Sequence, residues 1–137
     1  MKRSYYQVEI KDFIREDIDL VFGKLARNHQ HDLEDLQKKA WIEQIRFLKE
    51  NLINVEGNIY FEFSIPRMGK RVDNILLINN IIFVLEFKVG EDKFTKEAQN
   101  QTIDYCLDLL NFHEESHNKS VIPILIATKG PNILAPK

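Results

Sequence analysis

Cys106 is the only cysteine in this 137-residue chain, so no disulfide can close within it, and such usage fits a reducing interior. An apolar leader is also missing. Met1 to Glu9 holds basic residues but no hydrophobic stretch of a signal peptide. No run approaches the length of a membrane span, and there is no internal repeat or low-complexity tract. A cytoplasmic protein is expected. The phosphate-loop signature, a glycine and then, after four intervening residues, Gly-Lys-Ser/Thr, occurs nowhere. Charge of one sign is lacking as well: the formal balance of -2 argues against a surface that coats nucleic acid overall, while a local basic patch stays compatible with it.

A zinc peptidase is suggested by one motif and disfavoured by another absence. His113-Glu-Glu-Ser-His117 places two imidazoles one helical turn apart with an acid between them. Catalytic zinc takes a third protein ligand, in those families a downstream one. After His117 the chain has no His, Asp, Glu or Cys, and exposed histidines at a helix end are the simpler reading.

What is present is an ordinary globular composition, 44% hydrophobic and 29% charged, in a length that suits one domain over residues 1–137. Phe13, Ile14, Ile18, Val21, Phe22 and Leu25 recur at helical spacing and predict a helix over 12–27. Leu33, Leu36, Ala40, Trp41, Ile45, Leu48 and Leu52 predict a second over 33–53, with Glu43 amid the stripe and Trp41 in the core. Gly57 is the turn residue that follows. A strand at 59–65 leads through the loop Pro66-Arg-Met-Gly-Lys70 into a hairpin. Thr95 suits the N-cap of a helix over 95–113, with Ala98, Ile103, Cys106, Leu107 and Leu110 on one flank and Gln101, Tyr105 and Asp108 on another. Val121 to Ala127 is a last strand, in which Pro123 requires the strand start or an edge position.

The hairpin is the unusual part. Two β-branched runs flank Asn79-Asn80, a pair that tolerates the positive φ of a two-residue turn. With that turn Ile78 faces Ile81, and counting back sets Asp73 opposite Glu86, with Lys88 on the same face. Two acids facing each other in an apolar sheet call for a cation, and a metal ion is the obvious candidate. A structural ion pair with Lys88 is the plainer alternative. Arg67, Lys70 and Arg71 form a cationic rim at the mouth of this face.

The order of elements, with Asp73 on the second strand, Glu86-Phe-Lys88 on the third and Gln101-Thr-Ile-Asp-Tyr105 on the following helix, resembles the PD-(D/E)XK nuclease superfamily, in its RecB-like branch. Phe61 to Asp73 and Val84 to Gly90 are similar to the nuclease-like head of bacterial proteins that carry a helicase-like ATPase behind it. Val72 stands where the family usually has proline. The resemblance implies a restriction-endonuclease-like αβββαβ core: a four-stranded mixed sheet over 59–128, flanked by helices, with an extra N-terminal helix. It implies Mg²⁺, with Mn²⁺ as substitute, held by Asp73, Glu86 and the carbonyl of Phe87, and a nucleic-acid substrate, DNA rather than RNA. Lys88, Gln101 and Tyr105 would serve catalysis. A further acid from the helix before the sheet would be Glu43, or alternatively Glu62. Arg67, Lys70 and Arg71 would meet backbone phosphates. The ATPase would be a partner in cis. A catalytically silent binding or assembly module of the same fold is the rival reading.

Overall fold

A computed structural model describes residues 3–29, 34–65, 69–88, 95–112 and 119–128, with the backbone path alone at 111 and 112. Arg67 of the cationic rim and the His113 to His117 motif lie outside the described residues. Among those described, the elements run β1 (Tyr6–Glu9), α1 (Ile10–Arg15), α2 (Ile18–Asn28), α3 (Asp35–Asn51), β2 (Asn58–Ile65), β3 (Lys70–Ile78), β4 (Ile81–Lys88), α4 (Lys96–Phe112) and β5 (Ser120–Ala127). The fold is α/β, a five-stranded sheet in sequence order, antiparallel from β1 to β4 and parallel between β4 and β5. No helix among the described residues is long and apolar enough to cross a membrane.

Two expectations about the amino-terminal part are corrected. A fifth strand, β1, pairs with β2 from Tyr6↔Phe61 to Glu9↔Asn58. The helix expected over 12–27 is two helices, broken at Glu16 and Asp17, both of which are extended. The apolar spacing runs through the break, so the cause is tertiary. The Lys49 ammonium, reaching over from α3, donates to the carbonyls of Phe13, Ile14 and Glu16, taking up acceptors that a continuing helix would have used.

Helices cover both faces of the sheet, as two apolar faces on the hairpin require. One core joins α1, α2 and α3 to the sheet through Phe13, Leu25, Trp41, Ile45, Phe61, Leu76, Leu85 and Phe87. On the opposite face α4 contributes Tyr105, Cys106 and Leu109 to a core with Val72, Ile75, Ile82 and Val84. The α4 side chains differ in phase from the expected flank. Ala98, Thr102, Tyr105, Cys106 and Leu109 are buried, whereas Leu107 and Leu110 are exposed. Stepping by four and three residues along 98, 102, 105 and 109 gives the truer helical stripe.

Local signals hold elsewhere. The Thr95 hydroxyl accepts from the Ala98 N–H at 3.1 Å and caps α4. Pro123 sits on β5, an edge strand, opposite Val84. Gly57 has φ 151°, and a Cβ there would lie 2.3 Å from the Leu77 carbonyl oxygen, so only glycine permits this close approach.

Candidate functional site

Asn79 and Asn80, at φ 52° and 65°, make the two-residue turn, and its register is the one the sequence implies: Ile78↔Ile81 through Asn74↔Leu85. One residue further the backbone ladder stops. The Asp73 N–H donates to Glu86 Oε1 at 2.9 Å, and the Phe87 N–H donates to Asp73 Oδ2 at 2.7 Å. Each carboxylate therefore accepts from the strand opposite its own, where a backbone carbonyl would otherwise sit. Beyond this point β3 continues with β2 and β4 with β5. The sheet opens there, and the acids line the opening.

A second irregularity meets the first. Between Phe61↔Asn74 and Phe63↔Val72 the ladder omits Glu62, which has φ 53°. That is an unusual conformation for a side chain of its kind. Alternation inverts across it: Ile59 and Phe61 pack in the core under α1 to α3, Phe63 and Ile65 in the core under α4. The freed Glu62 carbonyl accepts from Arg71 Nη1 at 2.7 Å.

Electrostatics bring Asp73, Glu62 and Glu86 into one group. Burial pushes Asp73 up from the usual carboxylate range, against the opposing pull of the Phe87 N–H and Lys88. Glu86 is raised by burial and then by Asp73 and Glu62, while the Asp73 N–H and Lys88 favour its charge. Glu62 is pushed up to about 8 by burial and by Asp73, opposed by Arg71 and by the Trp41 indole beside it. Trp41 Nε1 lies buried without closing a hydrogen bond among the described residues. Tyr105 stands near enough for all three acids to raise it: burial first, then Glu86, Asp73 and Glu62, take the phenol to about 12. It stays protonated at neutral pH and remains a donor.

Lys88, half-buried, follows Glu86 by two residues on β4, so strand alternation sets both on the α4 side with Ile82 and Val84. Gln101 is half-buried on α4, one turn before Tyr105. Lys70 is exposed. Arg71 turns inward: besides Glu62 it donates to the Arg3 carbonyl at 3.3 Å, and its guanidinium lies 4.4 Å from the centroid of the Tyr5 ring.

Glu43 is not brought to this group. It is exposed on α3 and lines a hollow with Phe22, Lys38, Lys39, Ile42 and Arg46. Two residues from both Trp41 and Ile45, it lies about 200° around the helix from each, so the spacing itself directs it outward. Glu62 stands near Asp73 and Glu86 instead. Gln44 on the same helix is buried beside the Trp41 and Ile45 stripe, its Oε1 without a partner among the described residues.

No group of three or more His, Cys, Asp or Glu side chains among the described residues is arranged to hold a metal by itself. Mg²⁺ keeps several waters and takes one or two carboxylates, and the hard oxygens of Asp73 and Glu86 fit that demand. Each has one oxygen, Oδ1 and Oε2, that accepts no hydrogen bond among the described residues. Comparison with protein-family models, with curated proteins and with solved structures finds no match for this chain.

Proposed function

We propose that this chain is a metal-dependent nuclease with a restriction-endonuclease-like αβββαβ core, hydrolysing phosphodiester bonds of nucleic acid, DNA rather than RNA. The observation that supports this most is the opening between β3 and β4, where Asp73 and Glu86 are held against each other by reciprocal backbone bonds. With Glu62 alongside, acids outnumber the neighbouring Lys88 ammonium. Ionising all of these buried acids together costs stability unless a cation joins them.

Asp73 and Glu86 would hold the divalent ion, with the Phe87 carbonyl and Glu62 close by. When bound, such an ion supplies an acidified water and a counter-charge for the leaving oxygen. Lys88, on the side of Glu86, orients the attacking water and stabilises charge on the phosphoryl oxygens. The Tyr105 phenol donates to a phosphate oxygen, and the Gln101 amide one turn away steadies the same group. In the resemblance to nuclease-like heads, a helicase-like ATPase would be joined in cis.

One observation favours a silent nucleic-acid-binding or assembly module of the same fold: both carboxylates already have structural partners. The test is incubation with single- and double-stranded DNA and RNA in Mg²⁺ or Mn²⁺. Cleavage is expected, and Asp73→Ala, Glu86→Ala and Lys88→Ala should each abolish it, a loss on the order of 10³-fold or more. Lys88→Ala is the cleanest of the three, since its ammonium makes no hydrogen bond among the described residues and the variant should fold. Substrates left intact by the parent protein would overturn the enzyme reading, and binding retained in that assay would point to the module.

A further inference from the structure

We propose that the cleft between the amino-terminal segment and α2 is a second contact for nucleic acid, a site for backbone phosphates next to the strand that carries Glu62. It measures about 520 Å³, and its lining includes Arg3, Lys24 and Arg27 but no acidic residue. In a chain of net charge -2 this is a local reversal of sign. Arg3 and Arg27 are exposed, and neither meets an acid at ion-pair distance among the described residues. Lys24 is partly neutralised by Glu16 at 3.6 Å. Two arginines are thus available to an anion, with a lysine behind them.

Its place in the sheet links the cleft to the segment around Glu62. The Ser64 N–H donates to the Arg3 carbonyl at 2.7 Å, and the Tyr5 N–H to the Phe61 carbonyl at 3.0 Å. Arg3 to Tyr5 therefore run about 4.8 Å, one strand spacing, from the segment that carries Glu62. Arg71 spans the join, stacked on Tyr5 and bonded to the Glu62 carbonyl.

The chemistry of the lining selects phosphate over base. Arg71 lies over the Tyr5 ring, and His29 packs against that ring at 73°. Tyr6 is buried, with the Lys24 ammonium over its ring. Aromatic faces on which bases would stack are taken up internally, while guanidinium charge faces outward. Contacts of this kind give affinity and salt dependence with little regard to sequence. The anion is named from the nucleic-acid reading above, on which the inference rests.

The test is fluorescence anisotropy of a labelled oligonucleotide of about 20 nucleotides, single-stranded and as duplex, with the full chain in chelator so that no cleavage occurs. Arg3→Gln/Arg27→Gln should bind roughly tenfold more weakly near 100 mM salt, and the slope of log affinity against log salt should fall by about 1.4 for single strands, about 0.7 for each lost phosphate contact. Lys38→Gln/Lys39→Gln, removing equal charge from exposed positions on α3, should bind as the parent does. Both pairs should melt at the parent temperature. Unchanged affinity and slope in the arginine pair, or equal losses in both pairs, would overturn the cleft and leave the cleavage test standing. A parent that binds neither oligonucleotide would overturn it too. Cleavage by the parent, measured separately, decides the nuclease reading on its own.

Discussion

The two ends of the β3–β4 hairpin solve opposite problems. At the closed end, Asn79 and Asn80 accept positive φ so that backbone pairs with backbone from Ile78↔Ile81 to Asn74↔Leu85. At the open end the backbone stops pairing, and two carboxylates take over from carbonyls. The closed end is inexpensive and local; the open end is costly and depends on everything around it. Because the turn fixes the register, it also fixes which residues meet five pairs away. The ladder thus offsets the cost of crowding Asp73 and Glu86 together.

Three substitutions would break or sharpen this contrast. Gly57→Ala attacks the closed end from the turn before β2, since its Cβ would press on the Leu77 carbonyl at 2.3 Å; a loss of about 3 kcal/mol is expected in urea unfolding. An unchanged midpoint would show that the closed end yields easily. Glu62→Gln should relieve the open end. The folded value of Glu62, about 8, exceeds the ordinary 4.5, so folding favours the protonated acid. Its penalty is absent below the unfolded value, grows as pH rises and is complete above the folded one. In chelator the variant should therefore gain about 2 kcal/mol over the parent at pH 9 and nothing at pH 4. Equal melting temperatures at both pH values would contradict burial of that charge. The smallest effect belongs to Asn80→Ala, about 1 kcal/mol lost from a side chain less suited to φ 65°, with no change in the pH dependence of stability.

The same contrast explains what could be read from the sequence. The hairpin was legible because asparagines at a two-residue turn carry their geometry with them, and register then follows by counting. Thr95 was legible for the same reason, a local cap with a local acceptor. By contrast β1 is four residues with one fully buried side chain, Tyr6, too short and too polar for a strand pattern to stand out. The break between α1 and α2 is held by Lys49 from another helix, which no local spacing announces. Glu62 was weighed only as an alternative to Glu43, because alternation along β2 inverts at Glu62 itself. A non-glycine residue at positive φ gives little local warning.

Asp73 and Glu86 serve as clasps between strands whether or not a phosphodiester is ever cut. A chain of this fold without turnover would still be under selection to keep them, since the fold would loosen at the opening without them. Lys88 makes no such clasp among the described residues; its charge only favours the ionised forms of the two acids. If the proposed nuclease reading holds, the pair of acids in a lineage of chains with this fold would record ancestry, and the lysine would record whether that chemistry was still in use.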